Sequence, residues 1–112
     1  MLPAIEYENN GKKAENIAVK FLQKSGHKII ARNFKIPEGE IDIISWKNDV
    51  IFVNEVKQRT DANFKYITQK QLERIWYTFE VFLQKNSQYS SLDAQFQLIA
   101  VQNNYAQILE II

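Results

Sequence analysis

GEIDIISWKNDVIFVNEVKQR, residues 39–59, reads as two strands joined by a turn. The apolar runs are Ile41–Trp46 and Val50–Lys57, with Lys47, Asn48 and Asp49 as the turn between them. Charge interrupts this pattern at Glu40, Asp42, Glu55 and Lys57. Side chains alternate along a strand, so Asp42 shares a face with Glu40, and Glu55 with Lys57. A hairpin closed with Trp46 opposite Ile51 sets Asp42 against Glu55 and Glu40 against Lys57. Directly opposed Cβ atoms lie roughly 4.5–5.5 Å apart, and like charges in such a pair are destabilising. Two carboxylates placed this way need a cation, a shared proton or access to water.

Outward from the hairpin, Ala14, Ile17, Ala18, Phe21 and Leu22 form an i, i+3, i+4, i+7, i+8 stripe, which predicts an amphipathic helix over 11–25. Asn10 is its expected N-cap and Gly26 the residue that ends it. KIIARNF (28–34) is strand-like, IPEGE (36–40) a turn, and QRTDANFK (58–65) a polar loop. Leu72, Ile75, Trp76, Phe79, Phe82 and Leu83 predict a second helix over 68–85, and FQLIAV (96–101) and YAQILEII (105–112) two further strands. The order is α-β-β-β-α-β-β, an α+β domain whose sheet is flanked by helices. At 112 residues the chain is expected to be one domain spanning 1–112, with residues 1–10 loosely ordered.

Composition narrows the chemistry. With no cysteine, a disulfide framework and a thiolate zinc site are both excluded. One histidine, His27, expected at the surface, leaves no Ser/His/Asp or Cys/His triad. No basic and apolar leader opens the sequence and no apolar run approaches the roughly 18 residues of a membrane span, so a cytoplasmic protein without membrane attachment is expected. The net charge of +1 is unevenly spread: residues 11–74 hold 13 Lys/Arg against 8 Asp/Glu, and both flanks are net negative. The central two thirds could meet a polyanion.

Glu15 adds a third acid at the border of the first helix's apolar stripe, where it could lean over the sheet edge. Carboxylate oxygens without sulfur or imidazole suit Mg²⁺ or Mn²⁺, which keep several waters and need few protein ligands. A neighbouring lysine orients a water or offsets phosphate charge, and the set supports metal-assisted phosphodiester hydrolysis. The same residues also fit ordinary cross-strand ion pairs with Asp42 at an exposed strand start. Lys13, Lys20 and Lys24 cluster on one side of the first helix, where a lysine stripe is more often a solvated face than a phosphate contact. Tyr77 and Val81 lie opposite the apolar face of the second helix, which makes a homodimer through that helix an expectation.

Four segments, GKKAENIAVKFL (11–22), GHKIIARN (26–33), GEIDII (39–44) and FVNEVKQR (52–59), resemble the YraN-like family of small bacterial proteins. That family belongs to the restriction-endonuclease-like PD-(D/E)XK superfamily and is related to archaeal Holliday-junction resolvases. The resemblance implies a restriction-endonuclease-like core with a mixed central sheet, and an endonuclease that hydrolyses DNA with Mg²⁺ or Mn²⁺, on branched or flapped structures. By position it implies catalytic roles for Glu15, Asp42, Glu55 and Lys57, and metal ligation by Asp42, Glu55, Glu15 and the Val56 carbonyl. Arg32, Arg59 and Lys70 are the expected nucleic-acid contacts. The competing readings are a non-catalytic nucleic-acid-binding protein of nuclease fold, and a partner-binding protein whose acids are structural. The sequence departs from the family pattern at Asn54, where an apolar residue is usual, at Lys65, at Gln71, aligned with a frequent lysine, and at Gln97, aligned with an Asp.

Overall fold

A computed structural model describes residues 10–59 and 66–112, with the Asn10 side chain left out. The elements are α1 (Asn10–Lys24), β1 (Lys28–Ile36), β2 (Gly39–Lys47), β3 (Val50–Gln58), α2 (Gln69–Lys85), a 3₁₀ turn (Ser87–Tyr89), β4 (Asp93–Gln102) and β5 (Tyr105–Ile111). This is the expected α-β-β-β-α-β-β order. The expected loose ordering of residues 1–10 lies outside the described residues except at Asn10, which opens α1, and most of the polar loop with Lys65 lies outside them too.

The five strands form one mixed sheet in the order β1-β2-β3-β4-β5, antiparallel except for the β3–β4 pair. A parallel neighbour requires a crossover, and α2 supplies it. The two helices cover opposite faces. Leu72, Ile75, Phe79 and Phe82 of α2 pack with Ile41, Ile44, Ile51, Val53, Phe96 and Leu98. Ala14, Ala18 and Leu22 of α1 pack with Ile43, Ile99 and Val101.

Local chemistry fixes the ends. Gly26 has φ +93°, and the N–H groups of Gly26 and His27 donate to Gln23 O and Leu22 O, a Schellman stop for α1. Asn10 is already helical, one position inside its expected cap. Asn48 and Asp49 both have positive φ, +50° and +63°, as a two-residue hairpin with right-handed strand twist demands. Thr68 caps α2, its Oγ1 accepting from Gln71 N while Gln71 Oε1 accepts from Thr68 N. The departure at Gln71 therefore has a structural role, as half of a capping box.

At Gly39, α2 runs close over the sheet. A Cβ there would lie 2.5 Å from Thr78 Oγ1, so the hairpin enters β2 through a position that only glycine fits.

Candidate functional site: a carboxyl pair in a cleft beside the first helix

β2 and β3 pair in the expected register, Trp46 opposite Ile51, and the ladder ends at Ile43–Asn54. Alternation breaks one residue later. Ile41 and Ile44 pack on the α2 side, yet Ile43 packs on the α1 side, so the face sequence is interrupted at Asp42. Opposite it on β1, Asn33 adopts φ +54°, a left-handed conformation that Asn tolerates better than most residues. Beyond the last ladder pair the Val56 N–H donates to Asp42 Oδ2 at 2.8 Å. The irregularity thus aims Asp42 at the β3 backbone and fixes its carboxyl group.

The Glu55 carboxyl meets it. Burial, then a hydrogen bond to the Asp42 carboxyl and the Asp42 charge, push the Glu55 pKa from 4.5 to about 9, with Lys57 pulling it down and Glu40 pushing it further up. Two carboxyl groups can hydrogen-bond to each other only with a proton between them. The surroundings of the facing acids thus favour a protonated Glu55 beside Asp42.

Asp42 lines a cleft of about 600 Å³ together with Glu15, Arg32, Asn33, Glu40 and Val56. Glu15 sits on α1 with only 8% exposure, leaning over the sheet as its place on the helix implied. Its Oε1 accepts from Arg32 Nε at 2.9 Å and Asn33 Nδ2 at 3.0 Å, and the Arg32 guanidinium also reaches Asn16. Arg32 is therefore committed to an ion pair inside the cleft. Glu40 pairs in register with Lys35 of β1, 3.9 Å away, and both side chains are well exposed.

The expected site residues thus divide. Asp42 and Glu55 are in contact; Glu15 and Arg32 share the Asp42 cleft as a bonded pair; Lys57 is close enough to act on the Glu55 charge. Arg59 lies past the end of β3, its N–H bonded to Val101 O and its side chain in a separate groove with Asn103 and Tyr105. Lys70 is exposed in the first turn of α2. Among the described residues, no three His, Cys, Asp or Glu side chains converge closely enough to enclose an ion. Asn33 is a cleft residue that pattern reading passes over; its only advance signal was its residue type, since Asn is the usual non-glycine choice at positive φ.

Behind the cleft, on the α1 side of the sheet, runs a buried polar chain. Gln97 Nε2 donates to Asn54 Oδ1 at 3.0 Å, and Asn54 Nδ2 donates to Ser45 Oγ at 3.1 Å and Ile43 O at 3.2 Å. His27 Nδ1 lies 2.9 Å from Ser45 Oγ at the outer end. His27 is consequently not a surface residue: it is half-buried, its ring edge against Phe52, and burial followed by the Lys47 charge lowers its pKa. Asn54 and Gln97, two separate departures in sequence, are one hydrogen-bonded pair in space.

The match to a family model covers residues 14–101, from the second turn of α1 through all but the last residue of β4, and the model is described as uncharacterised protein family UPF0102. A UPF0102 protein of Francisella tularensis subsp. tularensis (strain SCHU S4 / Schu 4) is 38% identical over 96 residues, 81% of this chain and 82% of the relative. One from Campylobacter jejuni subsp. jejuni serotype O:23/36 (strain 81-176) is 39% identical over 98 residues, 86% of each. No described helix is long and apolar enough to cross a membrane. With a family model spanning Glu15 through Lys57 and relatives alike over most of their length, the chain belongs to the UPF0102 family, the YraN-like proteins its motifs resemble.

Proposed function

We propose that the protein is a metal-dependent endonuclease that hydrolyses phosphodiester bonds in DNA, with branched or flapped structures as the preferred substrates. The observation that carries this reading is the Asp42–Glu55 contact at the edge of an open cleft. Two carboxyl groups that hold a proton between them offer a divalent cation two hard oxygen donors once that proton leaves. Mg²⁺ and Mn²⁺ are content with two or three protein oxygens and several waters, so the donor set fits despite the absence of a third converging acid among the described residues. Asp42, Glu55 and the Val56 carbonyl would hold the ion, which supplies Lewis-acid stabilisation of charge developing on the phosphate oxygens.

The protein's own groups do the rest. The Val56 N–H orients Asp42 through Oδ2, so that carboxyl group needs no reorganisation to bind. Lys57, beside Glu55, orients the attacking water and offsets charge on the phosphate. Arg32 and Asn33 fix Glu15 on the opposite wall, and Arg32, anchored by Glu15, faces the scissile phosphate from there. Glu15 acts through that anchoring as a positioning residue.

Labelled linear, flapped and four-way DNA incubated with Mn²⁺ tests the proposal. Wild-type protein is expected to cut, with Asp42→Asn and Lys57→Ala each reduced at least about a hundredfold, the scale typical of losing a group that stabilises charge in the transition state. Equal cleavage by wild type and Asp42→Asn would refute the site.

A further inference from the structure

We propose a second site beside the acid cleft: a track for single-stranded nucleic acid along the outer side of α1, with Tyr105 as its stacking platform. The inference rests on the reading of the cleft as a phosphodiester site and supplies the strand that feeds it.

Three grooves carry the argument. The first, about 370 Å³, is formed by Ile17, Lys20, Phe21 and Lys24 of α1, Asn104 of the β4–β5 turn, and Tyr105 and Ala106 at the start of β5. The second shares Ile17 with it and adds Lys13, Gln58 and Asn103. The third shares Asn103 with the second and Tyr105 with the first, and adds Arg59. The first two form one surface beside α1; the third, lined also by Ala100, Gln102 and Gln107, opens on the opposite face of the sheet and meets them at the β4–β5 turn. The surface beside α1 begins one alternation along β3 from Val56, and at Lys13 next to Lys12, both of those neighbours being cleft residues.

Its chemistry is one-sided. Lys13, Lys20 and Lys24 line the two grooves beside α1, and no acidic side chain does among the described residues. That is a concentrated positive strip on a chain whose formal net charge is +1. A strip with this sign and length complements a phosphate backbone. Tyr105 decides what kind of backbone. It is 80% exposed, the most exposed large hydrophobic side chain among the described residues, and stands between the first and third grooves. A duplex hides its base faces, so an exposed ring flanked by lysines gains by stacking only with an unpaired base. The Asn103 and Asn104 side chains at the turn add amide donors and acceptors, which suit base edges or sugar oxygens. Taken alone, the lysines on α1 have the look of a wetted helix face; the tyrosine brought to their groove by β5 changes that reading.

The test is fluorescence anisotropy in EDTA with a fluorescein-labelled single-stranded oligonucleotide of mixed sequence and with the matching blunt duplex. Variants are Tyr105→Ala, Tyr105→Phe, Lys20→Gln/Lys24→Gln, and a charge-matched control on other surfaces, Lys28→Gln/Lys85→Gln, each checked for a wild-type circular dichroism spectrum. The single strand is expected to bind more tightly than the duplex. Tyr105→Ala should weaken it roughly five- to a hundredfold while Tyr105→Phe stays within about twofold. Lys20→Gln/Lys24→Gln should lower the slope of log affinity against log salt by about 1.4, two phosphates' worth, and the control should leave it unchanged. Tyr105→Ala binding like wild type, the control matching the lysine pair, or duplex binding as tight as single strand would overturn the track. A parallel Mn²⁺ cleavage assay separates the two sites: no cleavage with Tyr105-dependent binding intact removes the acid-cleft reading, and cleavage with Tyr105-independent binding removes the track.

Discussion

Side by side, Asp42 and Glu55 can be held together by a proton, by a cation or not at all, and their proton has a measurable consequence. Glu55 keeps its proton in the folded chain up to about pH 9, whereas the unfolded chain releases it near 4.5. Between those values the folded state binds more protons, so stability falls as pH rises. His27, with its lowered pKa, acts in the opposite sense and only below its ordinary value near 6.5. From about pH 7 to about pH 9 the Glu55 contribution therefore stands alone of the two. Urea unfolding in EDTA across that window is expected to show declining stability for wild type and a flatter profile for Glu55→Gln, which cannot ionise. The buried amides make a second residue-scale prediction. Asn54→Val leaves Gln97 Nε2 without the acceptor it bonds, an orphaned buried donor that costs roughly 1–3 kcal/mol. Gln97→Leu carries the mirror penalty, and the double variant should be less destabilised than the sum of the two, a coupling of about 0.5–3 kcal/mol by chemical denaturation.

Elements were the most legible level of the sequence. Helix stripes such as Ala14–Ala18–Leu22 and strand runs such as Val50–Lys57 announce themselves by period, and Trp46 pairs with Ile51 as expected, although Lys47, expected in the turn, is the last paired residue of β2. Glu15, Asp42 and Glu55 could be nominated because a carboxylate on an apolar element demands an explanation. What periodicity could not show was its own interruption. The slip at Asp42, matched by positive φ at Asn33, falls just past the last β2–β3 ladder pair, Ile43–Asn54, and neither strand alone encodes it. The Glu15–Arg32 ion pair and the Asn54–Gln97 pair are likewise contacts between distant segments, and His27 reads as a surface residue until β2 and β3 close over it. One element contact is directly testable. Gly39→Ala should destabilise by roughly 1–3 kcal/mol, the usual cost of overpacking, because its Cβ would press on Thr78 Oγ1. Adding Thr78→Ala removes that oxygen and should recover much of the loss in a thermal or urea melt.

The whole molecule places helices on both faces of one sheet and opens the Asp42 cleft beside α1. Residues from α1, β1, β2 and β3 meet at the cleft, so the site exists only when the sheet is assembled. The central claim is that the proton between Asp42 and Glu55 occupies a divalent-cation site. Calorimetric titration with Mn²⁺ at about pH 6, 7 and 8, in buffers of different ionisation enthalpy, measures both affinity and protons released. Displacement of one proton predicts about one proton released per ion and affinity rising by up to about tenfold per pH unit, with binding lost in Asp42→Asn. Binding with no proton release, or equal binding by wild type and Asp42→Asn, would contradict it.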